Sequence, residues 1–279
     1  MEIIQAIILG IVQGLTEFLP ISSSAHLLVL PYLFGWPHQG LAFDVALHAG
    51  TTLAIVGFFA RDLWRVGRAF LPAHRAESGT EPLRRTGWAI LLSCLPAGVL
   101  GLLFQDQIET VFRSPVYAGI NLIVFGVLLY LADHHFQGTR TIGEMGLRDA
   151  LWIGVLQALA LVPGVSRSGI TITAGLARRF QRAEAARFSF LMITPIVVGA
   201  TGLKFLDLYQ ELSRQGQLAA FLDHGLWIFL AGMAASFATG LGCIGFLLRF
   251  LRKFSFDAFA LYRLLFGTLV LYFAFALEI

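Results

Sequence analysis

The sequence predicts an all-α polytopic membrane protein, with six transmembrane helices and two re-entrant helix–loop–helix hairpins laid out as an inverted repeat. Three observations carry that expectation. The chain of 279 residues is 57% hydrophobic and only 13% charged, about half the charged share of a globular domain. Apolar runs of about 20 residues recur along it, long enough to cross a bilayer as helices. Finally, two polar tracts, each set inside apolar sequence, repeat one another.

The full spans are expected at roughly 42–60, 87–104, 116–133, 187–203, 225–248 and 258–277. The segments 2–36 and 149–178 are also apolar, but Pro, Gly and Ser break each near its middle. Neither half of either segment can cross about 30 Å of hydrocarbon as a helix. Both therefore read as re-entrant hairpins, whose irregular backbone needs protein or a wet cavity around it. One integral domain is expected over 1–279, with a first repeat over about 2–133 and a second over about 149–277.

Orientation follows from the basic residues. The loop 61–86 carries Arg61, Arg65, Arg68, Arg75, Arg84 and Arg85. The stretch 178–187 carries Arg178, Arg179, Arg182 and Arg187, and 249–257 carries Arg249, Arg252 and Lys253. These belong on the cytoplasmic side. The loops 105–115, with Arg113, and 204–224, with Lys204 and Arg214, face outward. Both termini then fall outside. Each half makes three crossings, an odd number, so the second half lies inverted and the hairpin tips meet near the centre. Inverted repeats with broken helices around a central site are a transporter architecture, although architecture alone does not establish transport.

Composition excludes some partners. The net charge is +3 and the lysines are Lys204 and Lys253, so no basic stripe exists for nucleic acid. Cys94 and Cys243 each lie in an apolar run and read as packing residues; no CxxC or Cys/His ligand set is present. The first twenty residues lack a basic leader and carry Glu2, so a cleaved signal is not expected.

The repeated tracts hold the chemistry. Aligned without a gap, Gln13 meets Gln157, Ser22 meets Ser166, Ser23 meets Arg167 and Ser24 meets Ser168. Pro20 ends one half-helix and Ser22–Ser24 can cap the next; Pro163 and Gly164 end another, and Ser166–Ser168 can cap its successor. Two helix N-termini, each with free N–H groups and partial positive charge, would then face one anion. Phosphate is the natural guest, and Arg167 offers it a planar charged fork. Arg167 paired with Glu17 purely to hold the halves together is the alternative. Gln13 and Glu17 share a helix face and can hold a hard divalent cation, Mg²⁺ or Ca²⁺, through oxygen. Ser23 and His26 share another face, and His beside Ser is an arrangement that activates a hydroxyl nucleophile. Asp44 and His48 line the cavity mouth or serve as packing glue. Asn121 reads as an interhelical hydrogen bond, Asp133 as a solvated span end, and Arg263 as snorkelling or pairing within the bundle.

The tracts EFLPISSSAH and PGVSRSGIT resemble the two signature motifs of the undecaprenyl-diphosphatase family, the bacitracin-resistance membrane phosphatases. The (E/Q)xxxE element falls on Gln13 to Glu17 and PGxSRSxxT on Pro163 to Thr171; FALYR at 259–263 agrees as well. The resemblance implies an inner-membrane enzyme that hydrolyses the terminal phosphate of undecaprenyl diphosphate at a site open to the outer, periplasmic side. It implies metal binding by Glu17 and Gln13, Ser23 as nucleophile, His26 as base or acid, and Arg167 as phosphate clamp. Ser22, Ser24, Ser166, Ser168, Gly169 and Thr171 would bind substrate. Membrane lipids and a second copy of the chain are the other candidate partners. Many members carry Glu at the position of Gln13, which leaves this chain one carboxylate fewer for a metal.

Three rival functions fit less well. A lipid flippase would use the same anion site without hydrolysis. A phosphatase of the Lys/Arg–Ser–His type needs Arg-Pro seven and eight residues after a lysine, and neither Lys204 nor Lys253 has it. An intramembrane serine protease has no use for Glu17 and Arg167 at the same centre.

Overall fold

The computed structural model describes residues 2–36, 40–72, 80–112, 114–216, 221 and 225–276. Arg75 and Arg113 of the orientation argument lie outside these residues. The helices are α1 (Ile3–Phe18), α2 (Ser23–Leu33), α3 (Gly40–Phe58), α4 (Ala60–Arg68), α5 (Thr80–Phe112), α6 (Pro115–His135), α7 (Leu147–Gln157), α8 (Arg167–Ala177), α9 (Arg182–Arg214), α10 (Leu226–Phe250) and α11 (Asp257–Ala276). Five of them, α5, α6, α9, α10 and α11, are long and apolar enough to cross a membrane. A sixth crossing comes from α3 with α4, bent by 64° where they join. The chain is a multi-pass, all-α membrane protein.

The two hairpins are short for a physical reason. At 16 and 11 residues, α1 and α2 rise about 24 and 17 Å, less than the hydrocarbon thickness. α7 and α8 have 11 residues each, and a 3-10 turn, Ala158–Leu161, extends α7 to the break. Each break pivots on a serine in the left-handed region, Ser22 at φ 75° and Ser166 at φ 72°. That conformation is uncommon for a residue with a Cβ, and it recurs at equivalent positions of the two tracts.

Packing partners are exchanged between the halves. α1 lies along α10, and α7 lies along α5. Gly10 stands three residues before Gln13, as Gly154 does before Gln157, and both are contact points. A Cβ on Gly10 would stand 2.4 Å from the Gly232 carbonyl oxygen, and one on Gly154 would stand 2.5 Å from that of Ser93. Small residues let helix backbones approach where no water drives association. The halves also meet through α6 against α11 and α3 against α9, where Thr52 and Thr201 share a 3.1 Å hydrogen bond.

One end of the bundle is tied by ion pairs among segments that the charge pattern puts on the cytoplasmic side. Arg187 bonds Asp62 at 2.8 Å and Arg182 bonds Asp133 at 2.5 Å. Asp133 also accepts from the Phe256 N–H at 2.9 Å, so it is a buried junction and not the solvated span end its position suggested. Asp149 takes Arg140 and Arg178, each at 2.6 Å. Burial pushes the Asp149 carboxyl upward. The Arg140 hydrogen bond, the Gly146 N–H and Arg178 outweigh it and hold the pKa at about 2. Cys94 and Cys243 are free thiols in helix packing, as expected.

Candidate active site

The hairpin tips meet. Ser168 Oγ donates to the Leu19 carbonyl at 3.1 Å, and the Gly164 N–H points at Ser24 Oγ at 3.5 Å. Intrahelical bonding in α2 begins at His26 N and in α8 at Ile170 N. The N–H groups of Ser23 and Arg167 therefore stand free at the two helix starts. Ser166 Oγ caps α8 by accepting from Gly169 N at 3.1 Å. Ser22 makes no such cap; its hydroxyl pairs with that of Ser24 at 3.1 Å.

Arg263 of α11 holds both tips. It is fully buried, and its hydrogen-bond acceptors are backbone carbonyls: Pro20 at 3.1 Å, Gly164 and Val165 at 3.0 Å, Leu122 at 3.1 Å and Asn121 at 3.3 Å. Pro20 and Gly164 are equivalent positions of the repeat. A helix break frees carbonyls that hydrocarbon cannot satisfy, and one guanidinium with five donors satisfies those of both breaks. Of the two readings from sequence, Arg263 does not snorkel; it pairs within the bundle, with carbonyls. Gly169 makes room for it, since a Cβ there would stand 2.8 Å from Arg263 Nη1. Asn121, read as an interhelical bond, donates instead from α6 to the Pro163 carbonyl in the hairpin tip at 2.9 Å.

The reactive groups gather above the staple. Ser23 Oγ donates to Glu17 Oε2 at 2.6 Å, and Gln13 Nε2 donates to the same oxygen at 3.1 Å. The charge of Arg167, at the head of α8, acts on Glu17. Glu17, Ser23 and Arg167 are half-buried and Ser24 is exposed, so these four reach open space.

His26 corrects the expected Ser–His pair. Its Nδ1 lies 2.7 Å from the Ser22 carbonyl, one helical turn back, and its Nε2 lies 2.7 Å from the Tyr262 hydroxyl. The ring stacks on Phe266 with centroids 4.2 Å apart. A carbonyl only accepts, so Nδ1 carries the proton and Nε2 accepts from tyrosine. Both nitrogens are thus engaged away from Ser23. The expected substrate ligands are also mostly interior. Ser22, Ser166, Ser168, Gly169 and Thr171 are buried, and the Thr171 hydroxyl is bonded to Ser189 at 2.6 Å. They build the tips, and of that group Ser24 alone is exposed.

Sequence reading named three residues without giving them a role at this centre. His48, read as lining the cavity mouth or as packing, sits with Nε2 4.0 Å from Glu17 Oε2; its lone signal was a helical spacing to Asp44. Tyr262 and Arg263 lie about 100 residues beyond the second tract, and no local pattern ties them to it.

A divalent cation would find two oxygen donors, the Glu17 carboxylate and Gln13 Oε1, which is buried without a hydrogen-bond partner. Gln157 Oε1 is orphaned likewise, but Leu161 stands where the first tract has Glu17. The donor set fits a hard ion on the first tract only.

Comparison with known proteins agrees with this geometry. The family described as bacitracin resistance protein BacA matches residues 6–269. The chain is 46% identical to the undecaprenyl-diphosphatase of Thermomicrobium roseum, over 97% of this chain and 98% of that one. It is 48% identical to the undecaprenyl-diphosphatase of Pelobacter propionicus, over 97% and 96%. At 43% identity the match to the same-named protein of Moorella thermoacetica spans 97% of each. With both signature tracts inside the matched region and brought together at one centre, the chain belongs to the bacitracin resistance protein BacA family.

Proposed function

We propose that this chain is an undecaprenyl-diphosphatase, hydrolysing the terminal phosphate of undecaprenyl diphosphate to leave undecaprenyl phosphate and inorganic phosphate. The relatives' shared name supports the substrate, and one observation carries the chemistry. The Ser23 hydroxyl donates to Glu17 at the start of a half-helix that faces a second, Arg167-headed one. In the proposed step Ser23 Oγ attacks the terminal phosphorus and its proton passes to Glu17 Oε2. The anhydride P–O bond breaks, undecaprenyl phosphate leaves, and water then frees phosphate from Ser23. Arg167 and the helix N–H groups hold the phosphoryl oxygens. His26, bonded to Tyr262, is a positioning residue that fixes the start of α2. A divalent cation held by Glu17 and Gln13 would neutralise charge on the transferring group when bound.

The fold reading extends to one integral domain with repeats over about 2–133 and 149–277, supported by the exchanged packing partners. A bacterial inner-membrane location with the site open to the outer side is supported by the arginine-rich end of the bundle, which suits the cytoplasm. The test is phosphate release from undecaprenyl diphosphate by purified protein in detergent, with and without chelator. A carrier that only moves lipid releases nothing there, because detergent offers no compartments. Absence of release from wild-type protein overturns the proposal.

A further inference from the structure

We propose that His48 completes the metal centre as a nitrogen ligand beside Glu17 and Gln13. The inference rests on the functional reading above and adds a ligand to the same site. Nδ1 of His48 lies 2.9 Å from the Asp44 carbonyl, an oxygen that can only accept, so Nδ1 carries the proton. Nε2 then presents its lone pair, and it faces Glu17 Oε2 at 4.0 Å. Two donors each about 2.1 Å from one ion lie up to about 4.2 Å apart, so the imidazole and the Glu17 carboxylate can share one cation. A backbone carbonyl on the far ring nitrogen is the usual support of a ligating histidine.

A second observation points to an ion. The Gln13 amide donates to Glu17 through Nε2 and leaves Oε1 buried without a partner. The wall carrying His48 is rigid. Ser236 of α10 bonds the Leu47 carbonyl at 2.8 Å, and a Cβ on Gly50 would stand 2.3 Å from the Met233 oxygen. Carboxylate and amide oxygens suit Mg²⁺, Ca²⁺ and Mn²⁺, and of these Mn²⁺ is the paramagnetic probe.

The test is pulsed electron paramagnetic resonance on the full chain in detergent, with Mn²⁺ alone as the probe. The expected spectrum carries hyperfine coupling to a directly bound imidazole nitrogen. His48→Gln removes that coupling and weakens Mn²⁺ binding about tenfold or more, and Glu17→Gln abolishes binding at this site. His134→Gln keeps the coupling; His134 lies beside Asp133 and Asp257 at the other end of the bundle, and this variant removes it as a nitrogen source. No bound Mn²⁺, no nitrogen coupling, or a coupling that survives His48→Gln overturns the proposal. Phosphate release on the same preparation separates the two readings. No release sinks the hydrolase reading, whereas release without nitrogen coupling sinks only the role of His48.

Discussion

Ser23 and Glu17 are six residues apart on different helices of one hairpin, yet Oγ and Oε2 lie 2.6 Å apart. The break at Pro20 and Ser22 folds the chain back so that the last carboxylate of α1 meets the first hydroxyl of α2. The carboxylate takes the position that helical spacing assigned to His26.

Losing that acceptor should therefore cost more than losing the imidazole. Glu17→Gln and Ser23→Ala should each lower the single-turnover rate of phosphate release at least about a hundred-fold, near 3 kcal/mol of barrier. Tyr262→Phe, which removes only the hydroxyl on His26, should fall well short of that. Equal losses in Tyr262→Phe and Glu17→Gln would return His26 to the chemistry.

Arg263 gives a sharper contrast between two cations. Lysine keeps the charge but has no fork to span the carbonyls of Pro20 and Gly164. Arg263→Lys should destabilise the protein by about 3 kcal/mol or more, because buried carbonyls lose their donors. Thermal unfolding in detergent measures it; a variant as stable as wild type would show that water satisfies the tips.

The exchanged packing predicts paired sensitivity. Gly10→Val and Gly154→Val press a side chain into a backbone oxygen in each half, and overpacking of this kind costs about 1–3 kcal/mol. Gly57→Ala meets nothing within 4 Å and should be silent or slightly stabilising. Melting temperatures of the three variants decide it.

Acid should act at the arginine-rich end. The Asp149 carboxyl titrates at about 2 in the folded chain, against an ordinary 3.8. Its contribution is complete above about pH 4 and is lost as pH falls through 2. The linkage amounts to about 2 kcal/mol at most, reduced by screening, since Arg140 and Arg178 are part-exposed. Asp149→Asn should thus melt lower than wild type at pH 7, with the gap closing towards pH 2.

Much of this was legible in the sequence. Apolar length located the spans, and Pro20, Ser22, Pro163 and Ser166 marked both breaks, because punctuation and hydropathy are local signals. The grouping of Gln13, Glu17, Ser23 and Arg167 followed from the repeat. What stayed hidden depends on rotamers and distant chain. His26 turned towards the Ser22 carbonyl instead of towards Ser23, Ser168 and Thr171 turned into the protein, and Arg263 reached the tips from α11. None of these leaves a spacing in the primary structure.

Alternating access would demand something particular of this molecule. One side chain of α11 is bonded to both re-entrant turns and to the kernel of α6 at once. Swinging either half outwards about the midplane would tear that clasp and strand several peptide oxygens in oil. The centre is therefore built as a hub about which neither half can swing without losing those bonds.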